Sequence, residues 1–182
     1  PPAPKWTSEA FPGFGAMLRS GFPGDRETSM IYHQGEIATQ HYDYDQGAFE
    51  LWAKGRPISL DWGYHGRAPA WHHNCMDIGN AQGKVLTFAT APTVDYLHGH
   101  QSGWDRQVLF LKDANPLGPN YFMLRDSTDG TGTANWWLWV NTRKENPMMA
   151  VQKAGEIVKV IGEHDVDIDI WFSPPNAERI PN

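Results

Sequence analysis

The sequence predicts an all-β fold, a two-layer antiparallel β-sandwich, and three observations lead there. Its 18 glycines and 14 prolines are dispersed through the 182 residues instead of forming a low-complexity block. Nine Trp, six Tyr and eight Phe fall in short runs between those turn residues, the pattern of many strands joined by tight turns. Near the C-terminus Val166, Ile168 and Ile170 alternate with Asp165, Asp167 and Asp169, the period-2 signature of a half-buried strand. A chain of this length can bury a core as a single domain, and one domain over 1–182 is the expectation.

Taken in order, residues 1–14 are punctuated by Pro and Gly and read as an irregular edge. A first strand is expected at 16–20, a turn at 21–25, and a second strand at 29–33 that stops at Gly35. Residues 47–53 and 57–62 form a hairpin around Lys54-Gly55-Arg56, and 74–78 with 84–90 form another around Asn80-Ala81-Gln82-Gly83. His98-Gly99-His100 reads as a mobile loop. Strands at 106–112 and 121–126 follow, then a turn at 129–132. The apolar run 135–140 reads as a strand buried on both sides. The stretch 148–161 is ambiguous between strand and a helical turn or two, and 173–182 reads as an exit linker. Roughly ten strands at hairpin spacing give the sandwich, with no internal repeat.

Composition excludes several functions. A formal charge of −6 argues against general nucleic-acid binding. No apolar stretch approaches the ~20 residues a membrane-spanning helix needs. Cys75 is the single cysteine, so no internal disulfide can form, and it reads as a small buried residue on a strand. The sequence opens at Pro1 with no Met and no signal pattern, and reads as a processed or excised piece of something longer.

The chemistry concentrates between His41 and Asn74. Asp61 and His73, with either His41 or Asp43, can form a three-ligand metal site, because mixed imidazole and carboxylate donors suit Zn²⁺ or a similar divalent ion. The bland alternative is that Asp61 caps the turn before Gly63 while His73 packs against Trp71. Asp43-x-Asp45-x-Gly47 lacks the third acidic position and the Gly offset of an EF-hand. Asp165, Asp167 and Asp169 read as a solvated strand face before a Ca²⁺ site. His41, beside two carboxylates and just ahead of a strand, can carry charge or move a proton near neutral pH, or simply be satisfied by Asp43 or Asp45. Trp136, Trp137 and Trp139 can stack on sugar rings, although at that density at least two belong to a core.

Several runs, in this order, resemble the β-domain of heparinase II/III-like polysaccharide lyases. They are Phe11-Pro12-Gly13-Phe14-Gly15-Ala16-Met17-Leu18-Arg19-Ser20-Gly21, Glu27-Thr28 to Gly35, and His41-x-x-x-Asp45-Gln46-Gly47-x-Phe49. The Lys54-Gly55…Leu60-Asp61-x-Gly63 hairpin, His73-Asn74, and Arg106 to Lys112 with Tyr121-Phe122…Asp126 complete the match over roughly 11–140. The resemblance implies an antiparallel β-domain that follows an α/α toroid, on the same or a companion chain, in a secreted or periplasmic bacterial lyase. It implies β-elimination on a uronate polysaccharide such as alginate, a glycosaminoglycan or ulvan. His41 matches the family's active-site histidine from this domain, and Tyr64 is a further candidate for substrate contact. Arg19, Arg67 or Arg106 would face the anionic chain. Asp61 and His73 match two ligands of a structural zinc, whose third is usually a histidine where this sequence has Asp43. The family's principal base and acid come largely from the toroid, and the sequence given holds no helical repeat. The rival expectation is therefore a stand-alone, non-catalytic carbohydrate-binding module, and a third is a purely structural domain.

Overall fold

The structure, a computed structural model, describes residues 7–36, 43–63, 68–79, 81–115, 117–130, 134–142 and 151–173. The described residues contain twelve strands and one 3-10 turn. They fall into two compact units, Pro1–Trp139 and Val140–Asn182, where the sequence suggests one domain.

The first unit holds two antiparallel sheets. One runs β1 (Glu9–Phe11), β2 (Gly15–Ser20), β3 (Thr28–His33), β4 (Phe49–Ala53) and β5 (Arg56–Ser59) in spatial order. The other runs β6 (Gly83–Ala91), β7 (Val94–Gln101), β8 (Trp104–Leu111) and β9 (Tyr121–Thr128). Every pairing is antiparallel between sequence neighbours, so each sheet is a meander built from local hairpins. The inner faces meet in one core. Ala16, Leu18, Met30, Tyr32 and Phe49 come from the first sheet, and Leu97, Val108 and Phe110 from the second. This is the two-layer sandwich that the turn spacing implies.

Arg106 and Gly99 tie the two layers together. The Arg106 side chain is 0 % exposed, and its guanidinium donates to both carboxylate oxygens of Asp126, at 2.7 and 2.9 Å, on the neighbouring strand β9. A further N–H reaches the carbonyl of Gly47, 2.7 Å away and just ahead of β4, so the Arg106 side chain bridges the sheets. Gly99 faces inward beneath Tyr32: a Cβ there would lie 2.0 Å from the Tyr32 hydroxyl. That hydroxyl donates to Gln34 Oε1 at 2.7 Å, and burial raises its pKa well above the usual phenol range.

Some expectations change. His98-Gly99-His100 is part of β7, not a loop. The inward positions of that strand are Asp95, Leu97, Gly99 and Gln101, so the alternation is real but mostly not apolar. Residues 74–78 contain one isolated bridge, Met76 to Trp136, instead of a strand. The 135–140 run is likewise not a strand, and Trp136, Trp137 and Trp139 are not fully buried. Asp95, fully buried, is satisfied by Ser8, Thr90 and Lys112.

The second unit carries a three-stranded antiparallel sheet of β10 (Val151–Ala154), β11 (Ile157–Val160) and β12 (Ile168–Trp171). The ambiguous 148–161 stretch resolves, over its described part, as a strand hairpin turning at Gly155, which takes a left-handed φ of 66°. Asp169 lies 3.5 Å from Lys159 on an exposed face, and Asp167 accepts from the Gly162 amide at 3.2 Å. That is the behaviour of a solvated strand edge.

Candidate functional site

The candidate site sits where the loops after β3 and β5 meet the 3-10 turn Ala70–His72. His41, Tyr64 and Arg67 lie outside the described residues.

Asp61 and His73 come together as the sequence suggests. His73 Nδ1 lies 2.5 Å from Asp61 Oδ2, and the His73 side chain is 1 % exposed. The other oxygen, Asp61 Oδ1, accepts the Gly63 amide at 2.8 Å, so Asp61 caps the turn and holds the histidine at once. Burial pushes the Asp61 carboxyl up, but the hydrogen bond and charge of His73 outweigh it and leave the pKa below the usual carboxylate value. Burial pulls His73 down, while Asp61, backed by Asp45 and Asp43, raises it overall. His73 Nε2 is buried and has no hydrogen-bond partner among the described residues.

Asp43 does not join this pair. Its Oδ1 accepts the Ala68 amide at 2.7 Å, and Tyr44 N donates to the Ala68 carbonyl at 3.0 Å, stapling the two loops. Among the described residues no group of three His, Cys, Asp or Glu side chains is arranged to hold a metal. Donors on one tetrahedral zinc lie about 3.3 Å apart, from metal–ligand distances of ~2.0–2.1 Å, whereas Asp61 and His73 are in direct hydrogen-bond contact. In this arrangement the facing atoms of the pair cannot share one zinc. An ion held through His73 Nε2 instead, with Asp61 behind it, would need its further donors from outside the described residues.

More acidic groups stand nearby. Asp45 Oδ2 is 3.8 Å from His33 Nδ1, and burial raises the Asp45 carboxyl against the pull of His33 and His73. Burial likewise raises Glu50 on β4, against the pull of His33.

Of the three basic residues expected to meet an anionic chain, the two described ones, Arg19 and Arg106, are engaged inside the protein. Arg19 forms a two-pronged pair with Glu27, Nη2 to Oε2 at 2.8 Å, and lies over the Phe22 ring at 3.7 Å. Arg106 is the buried pillar described above. Neither guanidinium faces solvent as an open cation.

Sequence reading misses an aromatic cluster beside Asp61. Trp62 stacks on His72 with centroids 4.7 Å apart and planes 16° from parallel. Trp71 and Trp139 approach Trp62 edge-on at 5.6 and 4.6 Å. Trp139 Nε1 donates to the Trp71 carbonyl at 2.7 Å, and its amide donates to Asn74 Oδ1 at 2.6 Å. Asn74 is buried and its Nδ2 donates to the Phe49 carbonyl at 2.8 Å. One side-chain amide thus fastens β4 to Trp139 beneath the cluster. Cys75 follows, fully buried on a bend; its thiol donates to the Ala70 carbonyl at 3.3 Å, and burial pushes its pKa up to about 12.

In fold, the sandwich is similar to part of two larger solved lyase structures. These are a heparan sulfate lyase and a heparinase III. A crystal structure of the heparan sulfate lyase HepC from Pedobacter heparinus matches with a TM-score of 0.65 and 24% identity, over 87% of this chain and 27% of that one. A heparinase III structure matches with a TM-score of 0.72 and 18% identity, over 95% of this chain and 30% of that one. At these identities the likeness is one of fold, and the chain spans less than a third of either lyase's length. No family model and no curated protein sequence matches the chain.

Proposed function

We propose that this chain is the β-domain of a polysaccharide lyase that cleaves uronate-containing polysaccharide by β-elimination, and that it walls the substrate cleft. The observation that carries this reading is the fold likeness to heparan sulfate lyases across 87–95% of the chain. The sequence resemblance adds His41 as the residue the domain contributes to the reaction.

The chemistry explains the need for such a wall. Removing the C5 proton of a uronate builds negative charge on its carboxylate, which fixed donors must neutralise as it develops. A base takes the proton and an acid protonates the departing O4. An imidazole at His41 would serve at the carboxylate or the leaving oxygen, while the principal base and acid come from elsewhere in the intact enzyme.

The test is a panel of uronate polysaccharides presented to the 182-residue chain, following both binding and the absorbance of unsaturated product. Binding without turnover is expected. Turnover by this chain alone would show that it carries its own base and acid, and absence of any binding would overturn the cleft-wall role. In an intact lyase, His41→Ala should abolish turnover with little change in thermal unfolding.

A further inference from the structure

We propose that the outer face of the second sheet, around His98, His100 and Arg125, is a second holding surface for an acidic polysaccharide, and that it grips more tightly as the two imidazoles gain charge. This rests on the acidic-polysaccharide reading above and adds a contact on the sheet that does not carry Asp61.

The alternation of β7 builds the face. Asp95, Leu97, Gly99 and Gln101 are buried inward, so His98 and His100 point outward together. Register sets their neighbours. Lys84 on β6 and Asp105 on β8 lie directly across from His100, and Gln107 lies between His98 and Arg125 of β9. Asp105 fixes both rings, its Oδ1 being 2.8 Å from His98 Nε2 and 3.1 Å from His100 Nδ1. A carboxylate only accepts, so each facing nitrogen carries a proton, and the other nitrogen of each ring becomes a donor when the ring is charged. Lys84 and Arg125 are exposed and form no ion pair among the described residues.

Charge decides the class of ligand. The cations beside the imidazoles are Lys84 and Arg125. The carboxylates are Asp105 and, where Lys84 and His100 line a cleft, Glu36 and Asp129. With neutral imidazoles two cations oppose three carboxylates, and with both charged four oppose three. The residues of the first unit outside the described ones include no Asp or Glu, so they cannot turn that balance back. Histidine is the side chain that ordinarily changes charge between pH 5 and 8, so mild acid makes the face attractive to anions.

Spacing selects a chain over a small ion. Lys84 and Arg125 stand on the two outermost strands of the sheet, three inter-strand steps and on the order of 15 Å apart. A small anion reaches one of them. A polymer with a carboxylate or sulfate on successive rings meets both, with the imidazoles between.

The experiment is calorimetric titration of the 182-residue chain with alginate, polygalacturonate and chondroitin sulfate, at about pH 5.5 and about pH 7.5 and one ionic strength. Uronate carboxylates, ordinarily titrating near pH ~4, stay ionised at both, so a change in affinity belongs to the protein. Affinity about fivefold higher at the lower pH is expected, by the scale of two exposed charge contacts. His98→Gln with His100→Gln should cut that gain below about twofold. Arg125→Gln should weaken binding about twofold to threefold at the lower pH, whereas Arg56→Gln, exposed on β5 of the other sheet, should change nothing. A gain that survives in the double variant, or an affinity unchanged in Arg125→Gln, overturns the face and leaves the lyase reading standing, since the polysaccharide is still bound. A single-stranded oligodeoxynucleotide bound as tightly, with the same dependence on the two histidines, overturns the assignment to a saccharide. If none of the three polysaccharides binds at either pH, both readings fall.

Discussion

Asp61 and His73 face each other across a 2.5 Å hydrogen bond, with the imidazole sealed from solvent and the carboxylate at its edge. The pair holds the loop after β5 against the stretch that follows the 3-10 turn. Asp61→Ala leaves a buried imidazole nitrogen unsatisfied and uncaps the Gly63 turn, so stability should fall by about 1–3 kcal/mol, read as a lower urea midpoint with an unchanged slope. Elemental analysis of protein prepared without chelator should find well under one zinc per chain, in the wild type and in His73→Ala alike. One ion per chain, lost in His73→Ala, would show instead that His73 holds a metal.

Arg106 and Asp126 should behave as a buried pair. Arg106→Ala leaves the half-buried Asp126 carboxylate with only its bond from Trp104 Nε1 and removes the partner of the Gly47 carbonyl, so a loss of about 1–3 kcal/mol is expected. Replacing both members with leucine should recover part of that loss, because the carboxylate goes with its partner while the Gly47 carbonyl and Trp104 Nε1 still lose theirs. Chemical denaturation of the two single variants and the double variant gives the coupling directly.

Cys75 should be inert while the protein is folded. With its thiol pushed up to about 12 and no exposure to solvent, almost no thiolate exists at pH 8. A chromogenic disulfide reagent should label the native chain far more slowly than the unfolded one. Rapid native labelling would show that the loop cluster opens.

Asp105 offers a pH signature on the opposite sheet. Burial pushes its carboxyl up, but His98 Nε2 at 2.8 Å and His100 Nδ1 at 3.1 Å together outweigh it and leave it below the usual carboxylate value. A carboxylate depressed on folding lends stability above its unfolded pKa of ~3.9, and loses it as pH falls through the lower folded value. NMR titration should therefore place Asp105 below an ordinary aspartate, and the double change His98→Gln with His100→Gln should return it towards normal.

Gly99→Ala tests the close approach between the sheets. The new methyl would enter the space of the Tyr32 hydroxyl, which is itself bonded to Gln34, so relief requires moving a buried ring. Overpacking of this kind costs about 1–3 kcal/mol, measurable as a drop in Tm.

Legibility followed local pattern. The hairpin of β4 and β5 could be read because Lys54-Gly55 supplies the left-handed turn, with φ of 55° and 74°. Strand β7 could not, because Gly99 and Gln101 occupy inward positions where apolar residues are expected. Arg106 looked like a surface cation because its partner Asp126 lies a whole hairpin away, and charge in a sequence carries no sign of burial. Asp61 and His73 were legible as a pair, whereas Asp43 was drawn off by a backbone amide that no side-chain pattern encodes. The aromatic cluster draws Trp62 and Trp71 from the connection between β5 and β6 and Trp139 from the stretch after β9, a convergence that only the packed sandwich creates.

Asn74 gives the loop cluster a collective character. Its carboxamide bonds to the Phe49 carbonyl on β4 and to the Trp139 amide, and Trp139 bonds in turn to Trp71. Loops on a sandwich ordinarily fray one by one. Here the first to open must break a bond that the others share, so they open as one cooperative unit. Amide hydrogens of Trp139 and His73 should then exchange at a common rate, and Asn74→Ala should split that rate into separate ones without unravelling the sheets beneath.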